Sequence, residues 1–150
     1  MAAFRFRLAT LLRLREADRD DRRAQLADAQ RAEEIVRQRV GEIEREIEQT
    51  REAGRRRTQP GQVNVDQMLE LQRYEIQLQT ESAATERQRA LIAEEVERRR
   101  ERLTAADREV RILERLRETQ QEQHQADERR TEQRLFDEIA GRTVPAELRE

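Results

Sequence analysis

One interruption governs what this chain can become. Across 150 residues the helical pattern breaks at a single short segment, Thr58-Gln59-Pro60-Gly61-Gln62-Val63-Asn64. Pro-Gly is a strong turn signal, Gly54 loosens the approach to it, and Asn64 or Asp66 is placed to cap a following helix. The other proline, Pro145, lies past Gly141 and marks an end rather than a joint. The pattern predicts one helix over roughly 4–57, a turn over about 58–64, a second helix over about 65–140 and a tail from about 141. The expected fold class is all-α: two long helices in one antiparallel coiled-coil hairpin, the C-terminal helix being the longer.

Composition agrees with that architecture and with few others. Charged residues make up 43% of the chain and aromatics 3%, too little apolar bulk for a globular core but enough for helices that bury one narrow stripe. The 31 basic and 33 acidic side chains give a net charge of −2, and the signs interleave at helical spacing in pairs such as Asp18/Arg22, Glu33/Arg37, Glu52/Arg56 and Asp107/Arg111. Each pair adds about 0.2–0.5 kcal/mol to helix formation without choosing a partner. Cysteine is absent and every basic residue is arginine. Disulfides, thiolate nucleophiles, zinc–thiolate clusters, phosphate-loop lysines and Schiff bases are thereby excluded. No apolar run approaches the ~18 residues of a membrane span. The opening, Met1 to Arg15, alternates arginine with apolar residues and lacks a signal-peptide core. A cytoplasmic protein with no direct membrane insertion is expected.

The apolar residues recur in a 3-4 rhythm. On helix one they are Leu8, Leu12, Leu26, Ala29, Val36, Val40, Ile43 and Ile47, with Arg15, Arg19 and Arg22 filling the matching positions between Leu12 and Leu26. On helix two, Leu71, Leu78, Ile92, Ala106 and Leu113 share one heptad position, and Met68, Val96, Leu103 and Val110 share the other. A further seven-residue row, Leu69, Ile76, Ala83 and Ala90, predicts that the stripe widens or shifts register between about residues 69 and 92, or that this region touches more than one partner.

At about 1.5 Å per residue, helix one would be roughly 80 Å long and helix two roughly 110 Å. A turn centred near Gly61 sets Phe4 opposite a residue near Leu116 or Gln120 and leaves about twenty residues of helix two without an intramolecular partner. From Arg117 to Arg134 the only apolar residue is Ala126. That stretch is either a solvated single helix or one that threads into a partner. Beyond it, Leu135, Phe136 and Ile139 form an apolar cluster. They are a docking site, or they fold back on Phe4 and Phe6, or they pair with another copy.

Catalytic and metal-binding constellations are missing, and no cofactor is expected. His124 is the sole histidine and lies among Gln and Glu. Asp18, Asp20 and Asp21 fall inside a helix and lack the glycine and terminal glutamate of a calcium loop. The runs Arg55-Arg56-Arg57 and Arg98-Arg99-Arg100 invite a nucleic-acid reading. Glu94, Glu95, Glu97 and Glu101 surround the second run, however, and the basic footprint of a nucleic-acid binder is missing.

The two ends carry more specific information. The chain opens with Phe4-Arg-Phe-Arg-Leu8-Ala-Thr-Leu11-Leu12-Arg-Leu14-Arg-Glu16. It closes with Glu109-Val-Arg-Ile-Leu113-Glu-Arg-Leu116 and Glu132-Gln-Arg-Leu135-Phe-Asp137-Glu138-Ile139-Ala140. With the central turn, these segments resemble the flagellar export protein FliJ family, to which stalk proteins of type III secretion are related. The resemblance implies a non-enzymatic stalk whose paired ends dock in the hexameric export ATPase and promote its assembly. It further implies a link to the export gate, a membrane protein, and the handling of substrate chaperones. The location implied is the cytoplasmic, inner face of the cell membrane at the flagellar base. Carried onto this sequence, the ATPase-facing end comprises Leu8, Leu11, Leu12, Leu135, Phe136, Asp137, Glu138 and Ile139. The gate contact, an aromatic followed four residues later by leucine, falls on Tyr74 and Leu78, although Leu78 is equally a seam position. Relatives carry aromatics on helix one where this chain has polar residues around Glu42 and Glu46, which shifts the expected contact onto helix two. A general coiled-coil scaffold or adaptor that self-associates explains the heptads as well, but not the terminal motif.

Overall fold

Asn64 starts the second helix. Its Oδ1 accepts hydrogen bonds from the backbone N–H of Asp66 (3.0 Å) and of Gln67 (3.3 Å), satisfying two donors that a helix start leaves open. Asp66 lies in the first turn, where its negative charge suits the helix dipole. The first helix ends with Arg55, Arg56 and Arg57 in its last turn, cations at the negative pole. Thr58 Oγ1 donates to the carbonyls of Gly54 (3.2 Å) and Arg55 (2.9 Å). Gly61 adopts φ +150°, a backbone state that only glycine enters cheaply. The structure is a computed structural model describing residues 3–58, 61 and 63–143. Pro60 and Pro145 lie outside the described residues, as does all of the predicted tail beyond Thr143.

Among the described residues there are two helices and no strand: α1, Ala9–Arg57, and α2, Val65–Thr143. They form an all-α helical hairpin whose chain divides into two compact units, a turn unit (Asp20–Thr104) and a terminal unit (Met1–Arg19 with Ala105–Glu150).

In the turn unit the pairing is antiparallel. Arg99 Nη1 donates to the Gln25 carbonyl (2.7 Å), Arg39 Nε to Glu81 (3.2 Å) and Arg51 Nε to Glu75 (2.8 Å). As numbers rise along α1 they fall along α2. The buried side chains of α1 are Ala29, Val36, Val40, Ile43 and Thr50; those of α2 are Leu78, Thr85 and Val96. Ala29, Val36 and Ile43 are seven apart, as the sequence predicts for the α1 seam, and Thr50, which the apolar rhythm does not include, continues the row.

On α2 the seam corrects one expectation. Leu71, Leu78, Thr85, Ile92 and Arg99 form one continuous seven-residue row, and Met68, Glu75, Ser82, Arg89 and Val96 form the other; all are buried or half-buried. The register does not shift. Leu69, Ile76, Ala83 and Ala90 remain exposed beside it. Glu75 and Arg99 keep their seam positions by bonding across to α1, and the two buried threonines keep theirs because their hydroxyls are satisfied locally. Thr85 Oγ1 donates to the Glu81 carbonyl (2.8 Å) and Thr50 Oγ1 to the Glu46 carbonyl (2.8 Å), which frees each methyl group to face the seam.

The terminal unit buries Leu12 on α1 and Ala106 and Val110 on α2, and Arg15 pairs with Glu109 at 2.8 Å. Here the start of α1 differs from the predicted Phe4. The Ala9 N–H bonds the Phe6 carbonyl (3.2 Å) and the Leu12 N–H bonds the Leu8 carbonyl (2.9 Å), so regular helix begins only at Ala9. Residues 3–6 are extended. Phe4 and Phe6 are half-buried while Ala3, Arg5 and Arg7 are exposed, the two-residue alternation of an extended chain rather than the 3.6-residue period of a helix. Extended backbone advances about 3.3 Å per residue against about 1.5 Å in a helix. The segment therefore reaches further along α2 than the expected Leu116 or Gln120: the Phe4 ring lies on His124, with centroids 5.7 Å apart.

Candidate functional surfaces

Every site residue singled out in the sequence is described, and burial divides them. Leu12 is 4% exposed and Leu78 2%; both are seam residues with their side chains committed to the hairpin. Leu8 and Leu11 are partly exposed, and Leu14, Ile112 and Leu116 join them as exposed apolar residues of the same unit. Leu11 directly precedes the seam residue Leu12, and Leu116 lies three residues past Leu113. These heptad positions put both on one flank of an antiparallel pair. The other flank carries a groove of about 380 Å³ lined by Phe4, Phe6, Ala9, Leu12, Glu16 and Gln121. The sequence rhythm marks Leu14, Ile112 and Leu116 as off-seam, but without a fixed register it does not gather them on one side.

Near the end of α2, Leu135 (54%), Phe136 (69%) and Ile139 (58%) are all more than half exposed. Asp137 and Glu138 stand exposed beside them, and Glu138 pairs with Arg142 at 2.6 Å. Three large apolar side chains within two turns, held on a continuous helix and offered to solvent, make the densest apolar feature of the C-terminal arm.

In the turn unit, Tyr74 is 45% exposed and belongs to a polar network that crosses the two helices. Its hydroxyl donates to Glu46 Oε2 (3.3 Å). Arg39 lies 3.6 Å from Glu46, bonds Glu42 (3.2 Å) and reaches Glu81. Thus Glu42 and Glu46 stand on the same side as Tyr74, joined to it through one guanidinium. The Glu46 charge, then desolvation and the hydrogen bond, push the Tyr74 hydroxyl above its ordinary value. The hydrogen bond to Glu81 is the largest cause of a raised Arg39 value.

The arginine runs are counter-charged. Arg98 and Arg99 both bond Glu95 and Arg100 bonds Glu97; Arg55 bonds Glu48 and Glu52. The hydrogen bond from Arg99 holds Glu95 below the usual carboxylate value, and the one from Arg55 does the same for Glu52. Among the described residues no His, Cys, Asp and Glu group has the geometry to hold a metal ion, and no helix is long and apolar enough to cross a membrane.

Comparison with known proteins matches residues 4–148 to the family model described as Flagellar FliJ protein. No curated protein and no solved structure matches the chain.

Proposed function

Because this chain belongs to the flagellar FliJ protein family, and is thereby a component of flagellar protein export, we propose that it is a stalk whose paired ends dock into the export ATPase hexamer. In this reading docking promotes ring assembly, and the turn unit links the ring to the membrane export gate. The observation that carries the reading is the apolar cluster Leu135, Phe136 and Ile139, exposed just past the polar stretch 117–134 of α2. Leu8 and Leu11, with Leu116 beside them, supply the N-terminal part of the surface. Leu12 supports it from within the seam. For the gate, Tyr74 is the contacting side chain and Leu78 holds the backbone beneath it.

The test mixes the protein with its export ATPase and follows ring formation and ATP hydrolysis. Both rise with the wild-type chain. The triple variant Leu135→Ser, Phe136→Ser, Ile139→Ser loses the effect, because central apolar anchors of an interface contribute about 2 kcal/mol or more each. Its folding stability stays within about 0.5 kcal/mol per site, as exposed positions do. A stimulation that survives the triple variant, or an obligate self-associated dimer held by the same cluster, overturns the reading.

A further inference from the structure

The stretch of α2 from Arg117 to Arg134 has one apolar residue, Ala126, yet it is continuous helix. A polar helix with no face to bury gains little from packing, and short isolated helices are marginal in water. The structure supplies apolar side chains to this stretch from the other end of the sequence. Phe4 and Phe6, half-buried, lie over α2 with Arg117 and Gln121 in the wall of the same groove. The Phe4 ring packs on His124 at 5.7 Å with the planes tilted by 41°, and His124 Nε2 stands 3.3 Å from Glu128 Oε1 one turn further on. Gln120 and His124 are half-buried where their neighbours are exposed.

We propose that residues 3–8 are a strap that keeps the C-terminal arm of α2 helical, so that the order of the Leu135–Phe136–Ile139 cluster depends on the N-terminal segment. Three features support a device of this kind over incidental packing. The segment leaves the helical path before Ala9, so Phe4 reaches His124, past the Leu116–Gln120 level that a helix begun at Phe4 would meet. Its alternation points both aromatic rings at α2 and both arginines at water. The α2 face it covers lacks the apolar side chains that α2 presents to α1 at Leu103, Ala106, Val110 and Leu113, so no alternative cover is encoded in α2 itself. Coupling of two segments through local folding needs no further contact between them. The proposal concerns the protein alone and stands whether or not the ATPase is the partner of the cluster.

One property of the sequence makes the test clean. There is one histidine, so its ring protons give isolated proton NMR signals. The Phe4 ring current shifts them in the wild type, and Phe4→Leu, which keeps an apolar side chain, returns them to the position of an unstacked imidazole. Hydrogen exchange then reads the consequence. In Phe4→Ser, Phe6→Ser the amides of residues 117–134 lose protection on the order of tenfold or more, while those of the turn unit keep theirs. Unchanged exchange over 117–134, a uniform loss across the chain, or histidine signals indifferent to Phe4 each overturn the proposal.

Discussion

At the residue scale the structure assigns separate tasks to side chains that look alike in sequence. Asn64 and Asp66 are both eligible caps, but only Asn64 places a side-chain oxygen on the open donors. Asn64→Ala is expected to cost about 1 kcal/mol, seen as a lower urea midpoint at unchanged m-value. Gly61→Ala is expected to cost a similar amount, about 1 kcal/mol, because alanine pays for the positive φ. Tyr74 gives a second kind of readout, since it is the only tyrosine and the chain has no tryptophan. Its hydroxyl is held above the usual value by Glu46. The phenolate absorbance should therefore appear at higher pH in the folded protein than in urea, and Glu46→Gln should move it back down. A folded value above the unfolded one means that this group stabilises the fold below the unfolded value and stops doing so as pH rises through the folded one.

At the element scale the continuous register of α2 makes opposite predictions for two apolar rows. Leu78 is seam and Ile76, two residues away, is not. Leu78→Ala should cost about 2–5 kcal/mol, whereas Leu69→Gln and Ile76→Gln should each stay within about 0.5 kcal/mol. Thermal melts of the three variants decide it; equal losses would restore the register shift that the sequence suggests. The turn, the two helices, the Asn64 cap and the α1 seam were all legible in the sequence, because each rests on local rules of spacing and turn chemistry. Both α2 seam rows were legible too, at Leu71, Leu78, Ile92, Ala106 and Leu113 and at Met68, Val96, Leu103 and Val110. Their continuity between residues 69 and 92 was not, because Thr85, Ser82 and Arg89 occupy seam positions there while Leu69 and Ile76 compete from outside. The start of α1 was half legible. The Phe4-Arg-Phe-Arg alternation is an extended-chain signal, but the leucines that follow it draw the helix boundary back to Phe4. Of the candidate surfaces, the Leu135–Ile139 cluster could be read from sequence, since no heptad absorbs it. The joining of Tyr74 to Glu46 and Arg39 could not, since it depends on which residues of the two helices stand level.

At the scale of the whole chain, the absence of lysine shapes the pH response. The 33 carboxylates and 31 basic groups nearly balance at neutral pH. Most of the pairs they form are exposed, and such pairs contribute about 0–1 kcal/mol each. Glu52 and Glu95 are held below their ordinary values by Arg55 and Arg99. Their contribution is present above the unfolded carboxylate value and is lost as pH falls through the folded one. The same acidification leaves 31 arginines without counter-charge, and their mutual repulsion opposes pairing of the helices. On the alkaline side there is no matching loss. Arginine keeps its proton at any pH a protein survives, whereas lysine releases its own near ~10.4. The melting temperature should therefore be lopsided in pH. It should drop steeply below about 4.5, where carboxylates protonate, and run nearly level from neutrality to about 10, where Tyr74 is the only side chain left to titrate. Salt should soften the acid limb by screening arginine repulsion within a Debye length of ~10 Å at 0.1 M, and should leave the alkaline plateau unchanged. Melts followed by circular dichroism across that range test this directly. A stability that declines as much toward pH ~10 as toward pH ~4 would mean that carboxylate–arginine pairing is not what sets the pH response of the hairpin.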